Sequence, residues 1–99
     1  MTVESLTPIS DEKLLEEVKS VIGSKGNNYN DDAIKVCIAE VKLVLSRAGV
    51  RADVLGSTLA VGCIARGVDD KWVSHRDNYS DMFYTGADTL RDIKVKGAE

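Results

Sequence analysis

The residues best suited to chemistry in this chain are two cysteines and one histidine. Cys37 and Cys63 lie within apolar segments, and His75 lies in a polar stretch further on. Their spacing matches no zinc signature, in which ligands come in close pairs. A reactive cysteine also needs an electropositive, partly exposed setting, whereas Val, Ile and Ala surround these two. The sequence therefore predicts two free core thiols and a loop histidine, with no metal site and no cofactor.

Two pairs of adjacent acids are the remaining candidates for chemistry. Asp31 and Asp32 begin a predicted helix, where negative charge complements the helix dipole. Asp69 and Asp70 fall near a predicted helix end, where acid is unfavourable. This second pair is interpreted either as a solvated helix end or as an ion-pair site, with candidate partners in Arg66, Lys71, Arg76 or a neighbouring subunit. No catalytic motif emerges, and we expect the protein not to be an enzyme.

Length and composition predict one small domain over residues 1–99. The 99 residues are 43% hydrophobic and 29% charged, which is ordinary for a globular chain. The net charge of −3 argues against a general nucleic-acid binder, which usually carries a basic face. No apolar run reaches the length of about 20 residues that spans a bilayer. Residues 1–10 lack the basic and apolar regions of a signal peptide, so we expect synthesis in a cytoplasm and no membrane partner.

Apolar residues recur at helical spacing in four segments, which predicts an all-α fold with short connections. The predicted helices are 11–22, 31–48, 57–72 and 80–93. The predicted N-caps are Ser10, Asn30, Ser57 or Thr58, and Ser80. Gly23 and Gly49 are the predicted helix stops. Residues 1–9 and 95–99 are predicted to be flexible tails.

The side of each helix that faces the core follows from the same spacing. In the first helix, Lys19 falls outside the apolar stripe and is predicted to face solvent. In the second helix, Val36 and Leu43 fall off the main stripe, which indicates contact on more than one side. Ile9 with Leu14, and Tyr29 with Ile34, have the spacing of hydrophobic staples.

The third predicted helix is apolar on nearly every side, in the stretch Leu59-Ala-Val-Gly-Cys-Ile-Ala-Arg-Gly-Val68. Such a helix must be covered all round, so we expect it to be the central helix of the subunit. Gly62 and Gly67 each cost about 1 kcal/mol relative to alanine within a helix, a cost tolerated where another backbone comes close. We therefore predict that close neighbours approach the helix at these two glycines.

Most of the aromatic residues follow this helix, and they are interpreted either as an interface or as the end of the bundle core. The candidate surface for subunit or partner contact is Gly62, Gly67, Trp72, Tyr79, Phe83 and Tyr84.

The arrangement resembles the small head–tail connector proteins, also called adaptor or DNA-packaging proteins, of long-tailed bacteriophages and related prophages. The resemblance covers residues 10–93. It rests on the order of segments and on four stretches: Leu45-Ser-Arg-Ala-Gly49, the apolar helix above, Tyr79-Ser-Asp-Met-Phe-Tyr84 and Leu90-Arg-Asp-Ile93. Gly86 and Asp88 depart from the smooth last helix of that pattern, and Gly86 could divide this helix into two pieces.

The resemblance implies a virion structural protein without catalytic residues. Its subunits form a homo-oligomeric ring of about a dozen copies, closed by heterologous contacts. The ring would dock on the portal protein, extend the channel for double-stranded DNA without sequence-specific contact, and support a downstream neck or tail-completion protein. We expect the chain in the bacterial host cytoplasm during assembly and in the virion neck afterwards.

Two alternatives belong to other classes of protein. A small helical DNA-binding regulator is suggested by the predicted second and third helices, joined through Gly49, with Arg47, Arg51 and Arg66 nearby. Against it, the third helix offers few polar side chains with which to contact a major groove. The other alternative is an unspecialised protein-interaction module.

Overall fold

The computed structural model describes residues 2–24 and 26–96, so residues 97–99 of the predicted C-terminal tail lie outside the described residues. The fold is a single small domain in which helices make up 64% of the residues, which confirms the all-α prediction. The main helices are α1 (Asp11–Ile22), α2 (Asp31–Arg47), α4 (Val61–Val68) and α5 (Asp81–Arg91), with a four-residue helix α3 (Ala52–Leu55) between α2 and α4.

Helix α1 has the predicted bounds and the predicted ends. The Ser10 hydroxyl accepts a hydrogen bond from the Lys13 N–H at 3.1 Å, and Gly23 ends the helix at a φ of 81°. The prediction for Lys19 is wrong, because this side chain is only 2% exposed. Its Nζ lies 2.8 Å from Asp31 Oδ1 and donates to Asn28 Oδ1 at 2.9 Å. Lys19 therefore fixes the loop after α1, and the start of α2, onto the end of α1.

Helix α2 begins as predicted but is not capped as predicted. Asn30 occupies the N-cap position, yet its side chain makes no capping hydrogen bond. Tyr29 is 91% exposed, so the predicted staple with Ile34 does not form. The Lys19–Asp31 ion pair holds this end of α2 instead. Gly49 follows the helix at a φ of 100°, a backbone conformation that favours glycine.

The third predicted helix is helical throughout but changes its winding. A 3₁₀ turn (Thr58–Ala60) leads into α4, and a π-helical turn (Asp69–Val73) follows it. The Ser57 hydroxyl caps the start by accepting from the Leu59 N–H at 3.3 Å. Ser57 is itself buried and donates to the Val54 carbonyl of α3 at 2.7 Å. The short connection between the second and third predicted helices, residues 50–56, therefore contains a helical turn that positions the start of α4.

Helix α4 is central, as predicted, and packs against α1, α2 and α5. The buried apolar side chains form one core cluster drawn from all the helices: Leu14, Leu15, Val18, Ile34, Cys37, Ile38, Val41, Leu45, Val50, Val54, Ala60, Ile64, Ala65, Val68, Phe83, Ala87, Leu90 and Ile93. Helix α5 continues unbroken through Gly86. A Cβ atom at Gly86 would lie 3.1 Å from Cys63 Sγ, so this glycine allows α5 to approach α4.

The ends of the described chain meet beside the bundle. Strand β1 (Thr2–Val3) pairs in parallel with strand β2 (Lys94–Val95). The Ile9 N–H donates to the Gly56 carbonyl at 3.0 Å, and the Thr58 N–H donates to the Thr7 carbonyl at 2.9 Å. The segment expected as an N-terminal tail thus has backbone partners within the subunit. Two-residue strands carry no periodic pattern by which sequence could predict them.

Candidate interaction surface

Two of the six residues predicted for the candidate surface belong to the core. Phe83 is fully buried. A Cβ atom at Gly67 would lie 2.7 Å from Val41 Cγ1 and 2.8 Å from Phe83 Cε1. The close neighbours predicted at Gly67 are therefore α2 and α5 of the same chain. At Gly62 a Cβ atom would meet nothing within 4 Å. Gly62 is exposed, so the neighbour predicted there does not come from within the described part of the subunit.

The aromatic residues form a stack that runs from the core to the surface. The rings of Tyr79 and Phe83 are stacked with centroids 4.3 Å apart. Tyr84 meets both edge-on, at 6.3 Å from Tyr79 and 5.6 Å from Phe83. Tyr79 and Trp72 are half-buried against the core, and Tyr84 is 48% exposed. The stack thus closes one end of the core and presents Tyr84 to solvent, and the interface interpretation stays a prediction.

Lys71 organises the loop between the π-helical turn and α5. Its Nζ donates to the carbonyls of Arg76, at 3.1 Å, and Asp77, at 2.7 Å. The same Nζ lies 4.6 Å from the centroid of the Tyr79 ring, in cation–π geometry. His75 lies in this loop, exposed and with a φ of 50°. Lys71 therefore holds this loop together, whereas the sequence indicated it only as an ion-pair partner of Asp69 and Asp70.

Asp69 and Asp70, predicted as one pair, have different environments. Asp70 is 4% exposed. Its Oδ2 accepts hydrogen bonds from the Ser80 N–H, at 2.9 Å, and the Ser80 hydroxyl, at 2.8 Å. That hydroxyl accepts from the Phe83 N–H at 3.3 Å. Asp70 therefore places its carboxylate at the N-terminus of α5, where a negative charge is stabilised.

The ion-pair partners expected for Asp70 are replaced by a serine. The contact that Arg76 makes with Asp70 is through its backbone, since the Arg76 N–H donates to the Asp70 carbonyl at 2.9 Å. The solvated helix end predicted for the pair is wrong for Asp70, because the π-helical turn rotates this side chain inward. One signal in the sequence could have predicted this contact. Asp70 lies in an apolar helix, and Ser80, the predicted N-cap of the next helix, follows ten residues later.

The two thiols are free, and neither has the environment of a nucleophile. Burial raises the pKa of the Cys63 thiol to about 11. Burial, and to a lesser degree the nearby Glu40 carboxylate, raises the pKa of the Cys37 thiol. Cys63 is only half-buried, and its Sγ lies 3.6 Å from the Phe83 carbonyl. Both thiols are therefore protonated near neutral pH and are weak nucleophiles. Within residues 2–24 and 26–96, no group of three His, Cys, Asp or Glu side chains could hold a metal ion.

Two helices keep apolar side chains on the side that faces away from the core. On α2, Val36 is 61% exposed and Leu43 is 53% exposed. On α5, Met82 is 64% exposed and Tyr84 is 48% exposed, and the two lie on opposite flanks of the helix because residues two apart are about 200° apart around its axis. These outer sides belong to two different helices, each of which packs its inner side against α4. Val36 and Leu43 are the residues that fall off the main apolar stripe of α2 in the sequence, and the second contact predicted there stays a prediction.

A groove of about 820 Å³ lies between the first half of α1 and the middle of α2. Leu14, Leu15 and Ile38 line it, and its rims carry three acids and one lysine of α1 and two lysines of α2. The rims have no dominant charge, so the groove does not select an anionic or a cationic ligand.

None of the helices in the described part of the chain is long and apolar enough to cross a membrane. No protein-family model, no curated protein and no solved structure matches the chain.

Proposed function

We propose that the protein is a ring-forming adaptor that joins the head and tail of a long-tailed bacteriophage or prophage particle. It would dock on the portal, extend the DNA channel and support the next neck or tail-completion component. The resemblance in sequence over residues 10–93 supports this proposal, and the all-α fold agrees with the type of subunit that the resemblance implies.

The observation that carries the proposal is the pair of outer apolar surfaces on α2 and α5. A ring is built from heterologous contacts, so each subunit must present two different surfaces to its two neighbours. The apolar helix α4 packs against α1, α2 and α5 within the chain, and Gly62 is its exposed position. Val36 and Leu43, seven residues apart on one side of α2, provide one such surface, and the exposed Met82 on α5 provides the other.

The chemistry of the side chains supports a structural role over a catalytic one. The two thiols are held as neutral groups by burial. The buried charges Lys19 and Asp70 are each engaged by neighbouring elements of the fold, where they hold a loop and cap a helix. A subunit that positions its partners requires such interactions between its own helices and loops, and it requires no reactive group.

The covering of α4 also favours the adaptor over a DNA-binding regulator. A recognition helix must present polar side chains along an open face to the major groove. The residues of α4 include Ile64, Ala65, Gly67 and Val68, which are all buried. The net charge of −3 suits a channel through which DNA passes without being retained, because contacts to phosphate dominate non-specific binding.

Deletion of the coding sequence from the phage or prophage that encodes the chain tests the proposal. We expect DNA-containing heads and separate tails to accumulate, and plasmid-borne wild type to restore joined particles. A Cys63→Ala variant, altered away from both outer surfaces, should restore them equally well. Normal yields of joined particles from the deletion strain would refute the adaptor function.

A further inference from the structure

We propose that the outer face of α2 in one copy binds the outer face of α5 in a second copy, with the two helices antiparallel. The inference rests on the proposed function, since it specifies the contact by which neighbouring subunits of the ring meet. It is carried by the order and spacing of charged and apolar side chains on the two faces.

The outer face of α2 pairs each exposed apolar residue with a lysine. Lys35 precedes Val36, and seven residues later Lys42 precedes Leu43. Ala39, exposed and small, lies between the two pairs. The closest acid to Lys42 is the fully exposed Asp11, whose Oδ1 is 3.9 Å from Nζ. The pair is long and its acid is fully exposed, so it contributes little. Lys42 is 30% exposed, and both lysines form the α2 rim of the groove between α1 and α2, from which a partner can contact them.

The outer face of α5 has acids at the same seven-residue spacing, followed by one apolar and one polar residue. Asp81 precedes the exposed Met82, and seven residues later Asp88 precedes Thr89. Asp88 lies 3.2 Å from Arg91 in an exposed pair within the helix, which contributes little. The face of α5 therefore carries two carboxylates next to Met82 and Thr89. The face of α2 carries two lysines next to Val36 and Leu43.

The spacing and handedness of these rows determine how the two faces fit. Seven residues span about 10.5 Å of helix on both faces, so both pairs of charges can meet at once. On each helix the charged row precedes by one residue a second row, which is Val36 and Leu43 on α2 and Met82 and Thr89 on α5. The charged row therefore lies on the same hand of both helices. Two such rows face each other only when the helices run in opposite directions. Lys35 then meets the second copy's Asp88, and Lys42 meets its Asp81.

The same rows disfavour pairing between identical faces. Two antiparallel α2 helices would bring Lys35 against Lys42, and two α5 helices would bring Asp81 against Asp88. Like charges placed across an interface cost several kcal/mol. The favoured contact is therefore heterologous, and it leaves each subunit with one face for each neighbour. Contacts of this kind close into rings when the rotation between subunits permits.

Sedimentation velocity at low ionic strength, up to about 1 mM protein, measures the association. We expect wild type to self-associate. The variants Lys35→Glu/Lys42→Glu and Asp81→Lys/Asp88→Lys should each weaken association at least about tenfold alone. An equimolar mixture of the two should restore it, because their reversed charges complement each other. Lys94→Glu/Lys96→Glu changes the net charge by the same amount as the first variant and should associate as wild type does. Circular dichroism checks that each variant is folded.

Single variants test the antiparallel orientation. Mixing Lys35→Glu with Asp88→Lys should restore association, whereas mixing it with Asp81→Lys should not. Lys42→Glu should show the opposite preference. Rescue in the parallel combinations overturns the orientation. A wild type that remains monomeric at about 1 mM, or that the charge reversals leave unaffected, overturns the contact. Loss of head–tail joining by the deletion strain, with no effect of the reversals on association, would refute this contact and leave the proposed function standing.

Discussion

Replacement of Asp70 tests whether the buried carboxylate holds α5 in place. Its Oδ2 accepts two hydrogen bonds from Ser80, at 2.9 and 2.8 Å, and the side chain is almost completely buried. Hydrogen bonds to a charged group contribute about 1.5–3 kcal/mol each, and part of this returns when Ser80 is rehydrated in the variant. We therefore expect Asp70→Ala to lower the free energy of unfolding by about 3 kcal/mol. Asp70→Asn, which retains one acceptor oxygen, should lower it by about 1–2 kcal/mol.

The neighbouring acid provides a matched control for this experiment. Asp69 is more exposed than Asp70, and its replacement by alanine should change stability by no more than about 0.5 kcal/mol. For a domain of this size, about 3 kcal/mol corresponds to a fall in Tm of roughly 12–24 °C. Thermal and urea unfolding followed by circular dichroism measure both variants. Equal stability of Asp70→Ala and Asp69→Ala would refute the assignment of Asp70 as the residue that fixes α5.

Three further predictions follow from buried contacts. Lys19→Ala, which removes the ion pair with the partly buried Asp31, should cost about 2–3 kcal/mol in urea unfolding, whereas alanine at the exposed Lys13 should cost less than about 0.5 kcal/mol. Gly67→Ala should destabilise by about 1–3 kcal/mol through overpacking, whereas Gly62→Ala, with open space around it, should stabilise by up to about 1 kcal/mol. The folded-state pKa of Cys63 lies above its ordinary value of 9.0, so its contribution to stability is complete below pH 9.0 and is lost as the pH rises toward about 11. Wild type should therefore lose stability relative to Cys63→Ala across that interval.

Each of these predictions has a result that contradicts it. Equal costs for the two lysine variants would mean that the Lys19 ion pair does not hold the loop. The same sign of effect at both glycines would mean that α2 and α5 do not approach α4 at Gly67. A constant stability difference between wild type and Cys63→Ala from pH 9.0 to 11 would mean that the thiol is not shielded from water.

Local structure was predictable from the sequence because helix formation depends on near neighbours. The periodic apolar residues placed the main helices, and Ser10 and Ser80 were identified as caps from their type and position. Gly23 was likewise identified as a stop. These features depend on residues three to four positions apart, which sequence displays directly.

Contacts between distant segments were less predictable, because their partners are set by the packing of the whole fold. Lys19 was expected in solvent, and its burial depends on where the start of α2 lies. The role of Asp70 depends on a π-helical turn, and no residue type in the sequence predicts such a turn. Gly67 was correctly identified as a point of close approach, but the sequence did not show whether the neighbour was internal. Of the candidate surface, Tyr84 is exposed, whereas Phe83 became core because the apolar period of α5 turns it inward.

Binding to the portal is the most direct test of the adaptor function. The purified chain would be mixed with portal rings made from the genome that encodes it, and complexes would be isolated by sedimentation and imaged by electron microscopy. We predict a second ring of density stacked on the tail-facing end of the portal, with an axial channel continuous with the portal channel. Portal rings that sediment and image without added density, at saturating concentrations of the folded chain, would contradict the proposal.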